Sequence, residues 1–115
     1  MTPANVQAQN PADFMKNLTA EIKKIQFEEI RFTTEDLFEG VVAQNNFAAL
    51  ESALILFFGP AIKPKGKKPT PQDEQCSTPQ GGVRANQVLY VKDHHACLLW
   101  PWKNGQQLTI KIYKF

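Results

Sequence analysis

The sequence predicts an α+β fold: two to three N-terminal helices packed on a C-terminal three-stranded antiparallel sheet, with a long Pro/Lys-rich loop between. Three observations predict it. Phe14, Leu18, Ile22 and Ile25 recur at helical spacing; residues 108–113 alternate apolar and polar as a half-buried strand does; and the segment 60–83 concentrates proline and lysine. At 115 residues the chain has the usual size of one domain, and its 43% hydrophobic and 21% charged residues are those of a folded protein. One domain over 10–115, preceded by a polar flexible tail at 1–9, is the expected organisation.

Asn10-Pro11-Ala12-Asp13 opens the first helix: Asn caps, Pro suits the first helical position, and an acid in the first turn favours the positive helix end. The apolar stripe then runs for about four turns, with Lys16, Lys23 and Lys24 off it. Ile30 and Phe32 alternate with Glu29, Arg31 and Thr33, which reads as a short strand. Thr33 and Asp36 are spaced like a capping box, so a second, short helix is expected with Leu37, Phe38, Val41 and Val42 on its buried side, and Gly40 costing it about 1 kcal/mol. Asn46 is placed to cap a third helix, with Phe47, Leu50, Leu54 and Phe57 on one stripe and a stop at Gly59-Pro60. Residues 53–58 are apolar on every side, as a buried strand would be, and the length of the run from Phe47 to Phe58 favours helix.

The segment 60–83 holds five of the eight prolines, four lysines and three glycines, with almost no large apolar side chain. Such a composition buries too little surface to offset its ordering entropy, so a mobile loop with polyproline character is expected. A meander follows: Val88 to Val91, a turn at Lys92-Asp93-His94-His95, Ala96 to Trp102, a hairpin turn at Asn104-Gly105, then Leu108 to Tyr113. In the last strand Leu108, Ile110 and Ile112 share one face and Thr109, Lys111 and Tyr113 the other. Without the tail and the loop, about 80 residues remain to build a core, which is marginal for an independent domain and makes self-association, a homodimer above all, an expectation.

No apolar run approaches the ~20 residues that cross a bilayer, and the N-terminus carries neither a basic cluster nor an apolar stretch, so a cytoplasmic protein with two reduced thiols, Cys76 and Cys97, is expected. Asp93-His94-His95-Ala96-Cys97 is the densest set of potential ligands. Strand alternation lets His95 and Cys97 share a metal, joined at most by the distant Cys76, while His94 points away unless the turn reorients it; the same residues allow a nucleophilic Cys97 with His94 or His95 as base. No C-x-x-C pair, glycine turn or third orienting residue accompanies them, and a Cys in an apolar strand favours the thiol over the thiolate, so no catalytic residue, metal or cofactor is assigned. The order helix, strand, helix, helix, hairpin outlines a winged helix, but its recognition position falls on the apolar run Phe47 to Phe58, which cannot read base edges.

Charge is more informative. The net +2 hides a polarised chain: residues 1–59 carry four basic and eight acidic side chains, and residues 60–115 carry nine basic and three acidic. The basic half can lie on the acidic surface around Glu28 to Glu39, or it can bind outward. Lys63, Lys65, Lys67, Lys68 and Arg84, with Tyr90, Lys103, Lys111 and Tyr113 on a sheet surface, form the candidate binding set. Through it, single-stranded nucleic acid binding is the second functional reading, the lysines holding phosphates and the tyrosines stacking bases. The first reading is a non-catalytic adaptor that binds a protein partner, or a second copy, through an exposed sheet face or edge, with the Lys/Pro loop as an accessory arm.

Overall fold

The computed structural model describes residues 11–115. The predicted tail and the Asn10 cap lie outside the described residues. The element order is α1 (Pro11–Ile22), β1 (Glu29–Thr33), β2 (Leu37–Ala43), a 3-10 turn (Gln44–Asn46), α2 (Phe47–Phe58), α3 (Pro71–Ser77), a second 3-10 turn (Thr78–Gln80), β3 (Val88–Lys92), β4 (His95–Pro101) and β5 (Gln107–Lys114). The strands form one antiparallel sheet of order β1-β2-β5-β4-β3. The α+β class stands, but the expected three-stranded sheet has five strands, and the helices are not all N-terminal, since α3 lies within the predicted loop.

The added strands come from the first half of the chain. The stretch expected as a second helix is β2, paired with β5 from Leu37 opposite Tyr113 to Ala43 opposite Gln107. Its apolar residues face both sides of the sheet, Phe38 and Val42 on one and Val41 on the other, all buried. Apolar Leu37 and Val41 on the less covered face blur the alternation, so the sequence passes for one side of a helix. The presumed capping signal builds the β1–β2 turn instead: the Thr34 hydroxyl accepts from the amides of Asp36 (3.2 Å) and Leu37 (3.0 Å), and the Thr34 amide donates to Leu37 O (2.9 Å). Short hydroxylated side chains serve turns and helix caps by the same bond, which makes the two signals alike.

Gly40 has a packing role in this strand. A β-carbon there would lie 2.7 and 2.8 Å from ring carbons of Phe27, whose ring packs edge-on against Phe38 at 5.4 Å. Gly40→Ala is expected to destabilise the fold by about 1–3 kcal/mol, the usual cost of overpacking, measured by urea denaturation. Combining it with Phe27→Leu should recover part of that loss, and strict additivity of the two would contradict the contact.

One face of the sheet is covered by α1 and α2. Phe14, Leu18 and Ile22 of α1 meet Leu50, Leu54, Phe57 and Phe58 of α2 over Phe38, Val42, Cys97, Ile110 and Ile112. The Phe14 ring stands edge-on to Phe57 (5.8 Å) and Phe58 (5.3 Å), joining the two helices. α2 spans the expected residues and ends at Gly59, whose φ of 78° suits glycine. Asn46 does not cap it through its side chain; its amide donates to Gln26 O at 3.2 Å.

The other face is covered only towards β3 and β4, where Cys76 of α3 and Val83 pack on Leu89, Ala96, Leu98 and Tyr113. α3 starts with a capping box: the Thr70 hydroxyl accepts from the Asp73 amide (3.1 Å), the Asp73 carboxylate accepts from the Thr70 amide (2.9 Å), and Pro71 takes the first turn. The segment 60–83 is thus not the structureless loop expected of it. The β3–β4 turn places Asp93 (φ 49°) and His94 (φ 65°) in left-handed conformations, as a two-residue hairpin turn of primed type requires.

Candidate functional site

The nine residues of the candidate binding set do not form one surface. Lys63 is 0% exposed. Its backbone pairs with Leu89 on the outer edge of β3, and its ammonium donates to the carbonyls of Pro64 (2.9 Å), Ala85 (2.9 Å) and Gln87. Three donors meet three acceptors, which satisfies a buried ammonium without a directly bonded carboxylate. Burial lowers the Lys63 pKa and the nearby Asp73 carboxylate opposes that shift. Lys63 is a structural staple that joins the 60–68 segment to the 84–89 segment.

Tyr90 and Tyr113 are also buried, and on opposite sheet faces. Tyr90 lies on the helix-covered face, its ring 6.0 Å from Phe58. Tyr113 lies beneath α3 and donates its hydroxyl to Cys76 O at 3.1 Å. Neither presents a ring for base stacking. Lys111 stands 4.1 Å over the Trp100 ring and 3.9 Å from Glu39. Lys103 is exposed in the β4–β5 turn, while Lys65, Lys67, Lys68 and Arg84 are exposed beside β3. The acidic residues Glu29, Asp36 and Glu39 pair with Arg31, Lys114 and Lys111 rather than with the loop lysines.

The thiol and metal candidates separate in the same way. His95 and Cys97 share the helix-covered face of β4, whereas Cys76 packs on the opposite face. Complete burial pushes the Cys97 thiol well above the usual cysteine range, and burial also raises that of Cys76. His95 Nδ1 is 3.0 Å from Asp93 O, and its ring lies 4.7 Å from Phe14. Among the described residues no group of three or more His, Cys, Asp or Glu converges as metal ligands would. No helix among them is long and apolar enough to cross a membrane.

What the topology leaves open is the β1 edge. β1 pairs on one side only, with β2, and all five of its residues are exposed, Ile30 at 47% and Phe32 at 53%. The opposite edge is covered near the start of β3, where Ile62 and Lys63 exchange backbone hydrogen bonds with Leu89. β1 carries the devices that limit indiscriminate pairing: it is short, it is irregular between Ile30 and Phe32, and it bears Glu29 and Arg31. Arg31 bonds Glu29 (2.8 Å) and Glu39 (3.2 Å), contacts that raise its pKa further and orient it along the edge. The aromatic and charged stripe continues from Phe32 and Arg31 through Glu39 and Lys111 to Trp100.

Exposed apolar residues on an edge strand were within reach of the sequence, since Ile30 and Phe32 alternate with polar neighbours. Which strand is an edge depends on sheet order, and that is not a local property. The basic loop and the open edge lie at opposite ends of the sheet. Comparison of this chain with protein-family models, with curated proteins and with solved structures finds no significant match, so its function is argued from this geometry.

Proposed function

We propose that this chain is a non-catalytic protein-binding module that takes up an extended segment of its partner along β1. The observation that carries the reading is the one-sided pairing of β1 with Ile30 and Phe32 exposed on it. Strand addition satisfies the free backbone groups of such an edge, and alternate side chains supply selectivity. The short, charged, irregular edge favours a matched segment over any exposed strand. A second copy is one such partner, joined β1 to β1 about a twofold axis.

The test combines light-scattering mass with amide hydrogen exchange over 29–33. The expected result is protection of these amides on self-association or on addition of a partner recovered by pull-down, and its loss in the exposed-site variant Ile30→Lys/Phe32→Lys with the fold intact. A monomer at all concentrations, with no recovered protein that protects β1, rejects the reading.

A further inference from the structure

A second feature is independent of the β1 edge. On the helix-covered face, a cleft of about 380 Å³ opens between α2 and the 60–65 segment. Its floor is apolar, built from residues such as Phe47, Ile55, Val88, Leu99 and Leu108. That volume lies at the lower end of the ~300–1,000 Å³ of small-molecule sites, enough for one ring or one branched chain with its head group.

Four polar side chains line the cleft: Gln44, Glu51, Lys65 and Tyr90. Tyr90 lines the cleft with only 2% of its surface exposed, and the Glu51 carboxylate is close enough to help raise its pKa. Glu51 and Lys65 line the same cleft and neither forms an ion pair among the described residues. An apolar floor lined by a phenol, a carboxylate and an ammonium, the two charges outside any ion pair, is complementary to one kind of small molecule.

We propose that this cleft binds a small zwitterion with a single apolar side chain, of the class of free aromatic or branched aliphatic amino acids. The side chain occupies the floor, the ligand ammonium faces Glu51, its carboxylate faces Lys65, and the Tyr90 hydroxyl bonds the head group. The polar groups select a molecule bearing both charges, and the floor rejects one without an apolar side chain.

The test is an amide-resolved NMR titration of the full chain with L-phenylalanine and L-leucine to about 10 mM, a level that detects millimolar affinity. Saturable shifts are expected at Glu51, Lys65, Val88, Tyr90 and Leu99. Phenethylamine and 3-phenylpropionate, each carrying one of the two charges, should bind about tenfold more weakly than L-phenylalanine. Glu51→Gln should weaken L-phenylalanine about tenfold and leave 3-phenylpropionate unchanged; Lys65→Gln should do the same relative to phenethylamine. Tyr90→Phe should weaken all three ligands, with the fold checked by circular dichroism. Absence of saturable shifts, shifts centred elsewhere, or equal affinity for all three phenyl ligands overturns the proposal. Because Glu51 and Lys65 are not core residues, their variants keep the test decisive even if Tyr90→Phe does not fold.

Discussion

Lys63→Met is expected to destabilise the folded chain by about 3 kcal/mol, read as a lower urea midpoint at unchanged slope. The substitution keeps the volume and removes the ammonium, so the carbonyls of Pro64, Ala85 and Gln87 lose their donor in a buried place. A buried acceptor left unpaired costs about 1–3 kcal/mol, and the loss of one partner from a buried charged network about 3–5 kcal/mol. The apolar side chain offsets part of this. Lys63→Met should also speed amide exchange across 84–89, because the same side chain holds that segment to the 60–68 segment. A loss below about 1 kcal/mol, comparable with that of an exposed lysine, would show that the three carbonyls find other donors and that Lys63 is no staple.

Above pH 9 the protein is expected to lose stability steeply, with tyrosinate absorbance appearing together with unfolding rather than before it. Burial raises the Tyr90 pKa from 10.0 to about 12, with Cys97 and Glu51 adding to the shift, and raises that of Tyr113 further. Burial also raises the thiols of Cys97 and Cys76 above 9.0. For each group the folded state prefers the neutral form. The contribution is therefore fully present below the unfolded pKa and is lost as pH rises through the folded one. Two units at Tyr90 correspond to about 2–3 kcal/mol lost between pH 10 and pH 12. Lys63 acts in the opposite sense: its pKa is lowered on folding, so its contribution improves as pH rises towards 10.5 and offsets part of the loss. Tyr90→Phe should make the alkaline limb shallower. Tyrosine titration near pH 10 in a protein that stays folded would contradict the burial of both phenols.

The parts of the fold that could be read from the sequence are those whose signal is local. α1 follows from the spacing of Phe14, Leu18 and Ile22, and the stop of α2 from Gly59-Pro60. β5 follows from the alternation of Leu108, Ile110 and Ile112, which all face α1 and α2. Asn104-Gly105 does mark the β4–β5 connection: Gly105 is left-handed at φ 70°, though the turn spans four residues between Trp102 and Gln107. The capping box at Thr70 and Asp73, with Pro71 between, was present too. The surrounding prolines and lysines obscure it, because a four-residue motif is a weak signal within 24 residues of loop-like composition.

The candidate site shows a sharper division. Residue types alone select Lys63, Tyr90 and Tyr113 as a polar and aromatic binding set, yet all three are buried. Lys63 becomes internal because the carbonyls of Ala85 and Gln87, more than twenty positions along the chain, fold around its ammonium. Tyr90 and Tyr113 fall on opposite sheet faces because β3 and β5 flank β4 in this register.

By itself the sequence determined the α+β class, the two long helices, the C-terminal meander and the polarity of charge, all of which rest on periodicity, turn chemistry or composition within a dozen residues. The tertiary structure alone decided that 37–43 is a strand, that the sheet has five strands, and that β1 is left open while Ile62 and Lys63 pair with Leu89 on the far edge. The physical reason is that strand pairing and the burial of a polar group depend on partners distant in sequence. A strand with apolar side chains on both faces carries a blurred alternation, and a lysine carries no local mark of the carbonyls that will bind it.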